Sequence, residues 1–428
     1  MKKLLLILVV LGWSTTARAD AVIQWNETAL RAAFAAGLDF SGGCVDPLHE
    51  SRMMAMMHVA IHDALNAVDP RFRPYAFDGR AAAGTSPEAA VAAAARDVLV
   101  AVMPELPDDP LVGLTPAAGI ALVEAAYADA LGAIPDGAAK LQGISIGQAA
   151  AAAILALRRN DGADTPYLDF SYVPGPNPGD FQFIPGYPPF AGAPGWGNVT
   201  PFVLASSAQY RPKRPYDLTS KKYAADFNEV KSLGGVNSTT RTAEQQEIAL
   251  FWVEGSPQGW NRIARTVSAA RGIDLWSNAR LFGLLNLASA DAYIADFENK
   301  YFYEFWRPVT AIRAADSDGN PDTAADPAWD SLVPSPPAPD HPSGHSGQGG
   351  AMSEVLARFF GDEVTFSTTA TTLPGVTREF GSFSEAAQEN ANSRIYIGFH
   401  FRHATIEGLK LGGKIGKVAF NHYLRPAR

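Results

Sequence analysis

Apolar positions recur at spacings of three and four from Met53 to Val68, from Val91 to Met103 and from Ala117 to Ile134. That period belongs to helices with one buried face. Two of the helices are announced at their starts: Ser86-Pro87-Glu88 sets a capping residue before a proline at the first helical position, and Thr115-Pro116 repeats the device. No alternation of period two outlasts a few residues, so strands are a minor part of the fold. Between Asp161 and Arg214 the texture changes to proline, glycine and aromatic residues, as in Pro174-Gly175-Pro176-Asn177-Pro178-Gly179 and Pro194-Gly195-Trp196-Gly197. A disordered linker would be poor in aromatics, so this crossover segment is expected to pack onto the helices. Helical texture resumes near Ser220 and continues to Phe420, interrupted by a loop from Ala315 to His341. No fixed repeat is visible, which argues against a solenoid. The pattern predicts an all-α protein of two packed helical bundles: an N-terminal region over 20–215 that includes the crossover, and a C-terminal core over 216–428.

The first nineteen residues stand apart. Lys2 and Lys3 precede an apolar run from Leu4 to Trp13, and Ala17-Arg18-Ala19 supplies a small-x-small cleavage site before Asp20. The run is too short to span a bilayer, and Val91 to Met103, the best later competitor, is broken by Arg96-Asp97. Residues 1–19 are therefore read as a signal peptide cleaved near Ala19, giving an exported product, periplasmic or secreted, with no membrane attachment afterwards. One cysteine, Cys44, allows no internal disulfide, so a large apolar core must hold the fold, and 47% hydrophobic content supplies one. Cys44 itself reads as a small buried hydrophobe. Removing the leader takes Lys2, Lys3 and Arg18 from a total of 35 basic residues, leaving 32 against 44 acids and a net charge of −12. Nucleic acid and anionic membranes are repelled by such a chain. A tight cluster of Lys and Arg within it asks for a small anion.

Such a cluster exists in the second half. Lys300 and Arg307 are seven residues apart, returning to within roughly 20° of the same helix azimuth, so both are expected to face one site from one helix. Pro342-Ser343-Gly344-His345 reads as the start of a helix whose free amides and positive end make an anion seat. Ser393 and His400 are expected to share a helical face, with Arg394 reaching in from the flank. Two arginines, a lysine, a serine hydroxyl and exposed amides are what a tetrahedral or trigonal-bipyramidal oxyanion requires.

In order and internal spacing these three segments resemble the signature motifs of the vanadium haloperoxidase and type-2 acid phosphatase superfamily. Further likeness to its soluble bacterial branch runs through Met57 to Ala67, Trp196 to Phe202 and Asp318-Gly319-Asn320-Pro321. The resemblance implies a chloroperoxidase-like fold with the site between helices of the C-terminal bundle. It implies that His400 is the apical ligand of vanadate, or the nucleophile toward phosphate, and that His345 is the general acid and base. Lys300, Arg307, Ser343, Gly344 and Arg394 would bind the oxyanion. On the preferred reading, a vanadate-dependent haloperoxidase, Lys300 polarises hydrogen peroxide and halide attacks it, bromide ahead of chloride. On the alternative reading the protein is an acid phosphatase that hydrolyses phosphomonoesters through a phosphohistidine at His400 and needs no cofactor. A protein that binds the oxyanion and turns nothing over is the third. Substrates are small molecules in either enzyme, and the oligomeric state is open.

Departures qualify the resemblance. Where family members often carry an acid four residues after the apical histidine, this chain has Ala404, and Glu407 is the acid expected to orient His400. Ala338 and Phe297 occupy positions where haloperoxidases tune halide use, and both weaken a chloride assignment. His341 and its neighbour Asp340 add titratable groups beside the site but read as solvated loop residues. His58 and His62 lie one helical turn apart without the glutamate of a metal motif, and Asp316, Asp318, Asn320 and Asp322 imitate part of a calcium loop that lacks its final glutamate. Both are read as structural.

Overall fold

The structure, a computed structural model, describes residues 20–40, 43–44, 46–106 and 113–427. The proposed leader lies outside the described residues, as does the side chain of Cys44.

Thirteen α-helices dominate the described residues. In the first half these are α1 (Ala21–Ala36), α2 (Pro47–Val68), α3 (Pro87–Val102), α4 (Pro116–Gly132) and α5 (Ala138–Arg158). In the second they are α6 (Lys221–Gly234), α7 (Ala243–Phe251), α8 (Ser256–Arg271), α9 (Leu275–Tyr303), α10 (Pro308–Arg313), α11 (Gly344–Phe360), α12 (Phe383–Tyr396) and α13 (Arg402–His422). Ser86 caps α3 as expected, accepting from the Ala89 amide at 3.2 Å. Thr115 does not cap α4; its hydroxyl donates instead to the Ala35 carbonyl of α1 at 2.9 Å. The cap of α2 is Asp46, whose carboxylate accepts from the Leu48 and His49 amides.

Strands are confined to three two-stranded antiparallel ribbons. One of them, Phe366–Thr369 with Thr377–Phe380, falls where the texture had been read as continuous helix. Pro374-Gly375 turns the chain between its strands, with Gly375 in the left-handed region at φ 87°.

The largest apolar cluster draws on both halves, from Val22 in α1 to Leu424 beyond α13. Its centre is the packing of α2 on α9, and α9 in turn packs against α11 and α13. Every residue of α2 from Leu48 to Ala67 is buried, so its polar side chains must find partners inside the protein. Asp63, for example, accepts from three successive amides, Tyr75, Ala76 and Phe77. Among the described residues one helix, α5, is long and apolar enough to cross a membrane, and it exceeds Val91 to Met103 as a candidate. Its Gly143 and Gly147 press against the α3 backbone at Ser86 and Ala90.

The crossover segment packs down as expected. Asp291 of α9 accepts from the Phe202, Val203 and Leu204 amides, and the Tyr301 hydroxyl donates to the Gly192 carbonyl. Gly192 also donates its amide to the Pro337 carbonyl at 2.5 Å. The segment thereby holds the loop that leads into α11.

Candidate functional site

Breaks in helices, and not shared helical faces, bring the candidate residues together. Helix α9 ends at Tyr303, because Glu304 takes a left-handed conformation with φ 46°. Arg307 consequently sits at the N-cap of α10, and the seven-residue helical spacing from Lys300 does not describe their geometry. Helix α12 ends at Tyr396, and left-handed Gly398 (φ 86°) folds the chain back so that the Phe399 and His400 amides both donate to the Arg394 carbonyl. His400 stands in that loop, one residue before the N-cap of α13, so it shares no helical face with Ser393. The start of α11 matches expectation: Ser343 is its N-cap and Gly344 its first residue.

The two cationic residues of the first motif meet on the loop before α11. Lys300 is buried, and its ammonium donates to the carbonyls of Pro339 (2.8 Å), Asp340 (3.2 Å) and Pro342 (2.6 Å). Arg307 donates through Nε to the Ala338 carbonyl and through Nη1 to the Phe399 carbonyl at 3.0 Å and to His400 Nε2 at 3.1 Å. Arg394 donates to Ser393 Oγ at 3.0 Å and to the Trp252 carbonyl at 2.5 Å, while its Nη1 is buried with no partner among the described residues. Burial lowers both guanidinium pKa values, Arg307 to about 10 and Arg394 to about 9, which leaves both charged at neutral pH. Burial and the neighbouring Arg307 depress Lys300 well below its ordinary value, and Asp340 and Asp296 oppose that shift.

The hydrogen bonds of the two histidines fix their tautomers. His400 Nε2 receives an N–H from Arg307, so it must carry a lone pair, and Nδ1–H then donates to Asp340 Oδ1 at 2.8 Å. Burial, then Arg307, Lys300, Arg394 and His345, push His400 well below its usual pKa and keep the ring neutral. His345, partly open to solvent, places Nε2 3.2 Å from the Glu254 carbonyl. A carbonyl only accepts, so Nε2 bears the proton and Nδ1 is the atom left for chemistry. Ser343 Oγ accepts from Ser346 Oγ at 3.0 Å, which leaves its own O–H to donate elsewhere.

Two acids were not anticipated in these roles. Asp340, read as a solvated loop residue, is buried against His400, and His341 is buried too, its Nε2 2.8 Å from the Lys213 carbonyl and its ring stacked on His403. Asp296, one turn before Lys300, is fully buried with both oxygens unpartnered among the described residues, and burial drives its pKa well above the ordinary carboxyl range. Gly347 is required beside it, since a Cβ there would lie 2.2 Å from Asp296 Oδ2.

Glu407 does not orient His400. Its carboxylate accepts from the Lys213 amide at 3.0 Å and from Lys410 at 2.8 Å. Ala338 is buried and takes part through its carbonyl, whereas Phe297 packs against the main apolar core. The Trp252 and Glu254 carbonyls were invisible to sequence reasoning, because any residue type supplies a carbonyl. His58 and His62 are engaged by Asn26 and Asp63, and no metal-binding group of three side chains occurs among the described residues. Asp318 accepts from the Asn320 amide and the Thr323 hydroxyl, as a turn residue does.

The arrangement is a buried set of three cations, a spare guanidinium N–H, a free hydroxyl and a helix start, beside two neutral imidazoles with defined lone pairs. It fits an oxyanion such as vanadate or phosphate, because the unpartnered Arg394 Nη1 is a buried donor that lacks an acceptor.

Known proteins resemble this chain in its C-terminal segment and in its fold. Residues 280–428 match the family model for the VCPO second helical-bundle domain. Vanadium chloroperoxidase from Curvularia inaequalis is 28% identical over an alignment of 280 residues, with 49% of this chain and 45% of that protein covered. The match thus spans less than half of that relative's length. Among solved structures, one described as the first bacterial vanadium-dependent iodoperoxidase superposes with a TM-score of 0.78 at 24% identity, covering 95% of this chain and 98% of the other. The holo form of a bacterial vanadium-dependent chloroperoxidase gives a TM-score of 0.69 at 18% identity, covering 90% and 94%. The resemblance carried by the three motifs therefore extends to the C-terminal bundle in sequence and to nearly the whole chain in fold.

Proposed function

We propose that this chain, which has the fold of the vanadium haloperoxidases and resembles them in sequence over its C-terminal bundle, is a vanadate-dependent haloperoxidase that oxidises halide with hydrogen peroxide. The observation that carries the reading is Arg394, a buried charged guanidinium with an unused N–H, close to a histidine whose tautomer puts the lone pair on Nε2, where it accepts from Arg307. His400 Nε2 would bond the vanadate, and Lys300, Arg307, Arg394, Ser343 and the Gly344 amide would hold its oxygens. Vanadate, when bound, supplies Lewis-acid activation of peroxide.

The residues provide the rest. Arg307 and Arg394 hold negative charge in a dry site where little reorganisation is needed. Lys300, tied to three loop carbonyls, would help hold an oxygen of the bound group. His345 Nδ1 takes and returns the proton. Bromide is proposed ahead of chloride, because Ala338 and Phe297 replace the residues that accompany chloride use. We propose further that the protein works outside the cytoplasm, after loss of residues 1–19.

The test is bromination of a dye at mildly acidic pH with vanadate, peroxide and bromide, with chloride alongside. Bromination that disappears in His400→Ala supports the reading. No bromination, together with hydrolysis of a phosphomonoester by the apoprotein, would replace it with a phosphatase acting through a phosphohistidine at His400. Vanadate binding without turnover of either kind would leave an oxyanion-binding protein.

A further inference from the structure

We infer that Asp340 is the positioning acid of this site, a role the sequence pattern had led us to expect on α13, and that it holds His400 and Lys300 in register with each other. The inference rests on the proposed oxyanion chemistry at His400. Its carboxylate lies 2.8 Å from His400 Nδ1, and both residues are buried. The His400 ring is therefore gripped at both nitrogens, by an acceptor at Nδ1 and by the Arg307 N–H at Nε2. Only one neutral tautomer satisfies both partners, the one with its lone pair on Nε2, the atom that must bond the oxyanion.

The main chain of the same residue does the rest. The Asp340 carbonyl accepts from Lys300, and its amide donates to the Phe305 carbonyl at 2.8 Å, in the turn that separates Lys300 from Arg307. A shift of this one residue would thus move the apical histidine, the lysine and the turn before the first arginine together. An acid on α13 could orient the ring but would have no such hold on Lys300. Ala404, where that acid would stand, is buried and uses its carbonyl to receive the Ser343 amide. Glu407 is turned away toward Lys213 and Lys410.

Nitrogen-15 NMR of the imidazoles in the full-length apoprotein tests this directly, with His400 assigned from the signals lost in His400→Gln. The wild-type ring is expected as the Nδ1–H tautomer. In Asp340→Asn the amide oxygen can still accept from Nδ1–H while Arg307 holds Nε2, so that tautomer is expected to persist; in Asp340→Leu nothing accepts the Nδ1 proton, so the single tautomer is expected to be lost. Calorimetric titration with orthovanadate should then show affinity weakened by roughly ten- to a hundredfold, while Glu407→Gln changes neither reading. A wild-type ring protonated at Nε2 would overturn the inference even if the variant does not fold, and so would an Asp340→Leu protein with unchanged tautomer and affinity. A wild type that binds neither vanadate nor phosphate would sink the functional reading instead, while the tautomer still judges Asp340.

Discussion

Two pairs of buried arginines, one in each half of the molecule, are solved differently. Arg52 and Arg158 close around Asp161, whose oxygens accept from both guanidiniums at 2.8 Å, and Arg158 also reaches the Thr200 and Pro201 carbonyls and lies over the Phe202 ring. Arg307 and Arg394 have no carboxylate partner among the described residues and make do with carbonyls, a hydroxyl and an imidazole. The first pair nails the crossover segment to α2 and α5. In the second, Asp340 bears on Arg307 only through space, and Arg394 has no counter-ion among the described residues. A buried arginine by itself says little about function; the missing counter-ion distinguishes a binding site from a structural clamp.

The contrast can be broken by experiment. Asp161→Asn should cost about 3–5 kcal/mol in denaturant unfolding, because it strands two buried guanidiniums, and should leave vanadate affinity intact if the fold persists. A loss below 1 kcal/mol would show that the first pair is no clamp. Vanadate at a hundredfold excess over its dissociation constant should stabilise the wild type by about 2.7 kcal/mol. Arg394→Met should abolish that gain at little cost to the apoprotein, since it removes a buried charge that has no counter-ion among the described residues and gives up only its bonds to Ser393 and the Trp252 carbonyl. Equal stabilisation in both proteins would place the anion elsewhere.

A neutral buried cluster sharpens the comparison further. His58, bonded to Asn26 at 2.8 Å, has its pKa lowered to about 3 by burial. The folded value lies below the unfolded one, so its stabilising contribution is complete above about pH 6.5 and is lost as pH falls toward 3. Between pH 6.5 and 5 the wild type should therefore lose about 2 kcal/mol relative to His58→Gln, and parallel pH curves would refute the shift. The smallest effect is expected for Glu407→Gln, under about 1 kcal/mol, since its partner Lys410 is exposed; a large loss of activity there would return Glu407 to the site.

The cations and histidines that the structure gathers were legible in the sequence; their geometry and their acid neighbours Asp340 and Asp296 were not. Cations in an acidic chain, and a serine and glycine after proline, are signals of residue type that survive without coordinates. The convergence of Lys300 with Arg307, and of Arg394 with His400, depends on where α9 and α12 stop. Those stops hang on Glu304 and Gly398 in left-handed conformations, and only the glycine carries a sequence signal for that. Asp340 was passed over because loop acids are usually solvated, and its burial comes from contacts with His400 and Phe305 that are distant in sequence. Helix starts read better than helix contents: Ser86 and Ser343 stand at N-caps, whereas the Thr-rich ribbon around Pro374 was taken for helix.

The grip of Gly192 on the Pro337 carbonyl, and of Arg394 and His345 on the Trp252 and Glu254 carbonyls, bears on what the C-terminal segment can do alone. Residues 280–428 contain every cation and both histidines of the site, yet the struts that aim them come from upstream. Transplanted without its upstream scaffold, that segment would bring the same functional groups wrongly pointed.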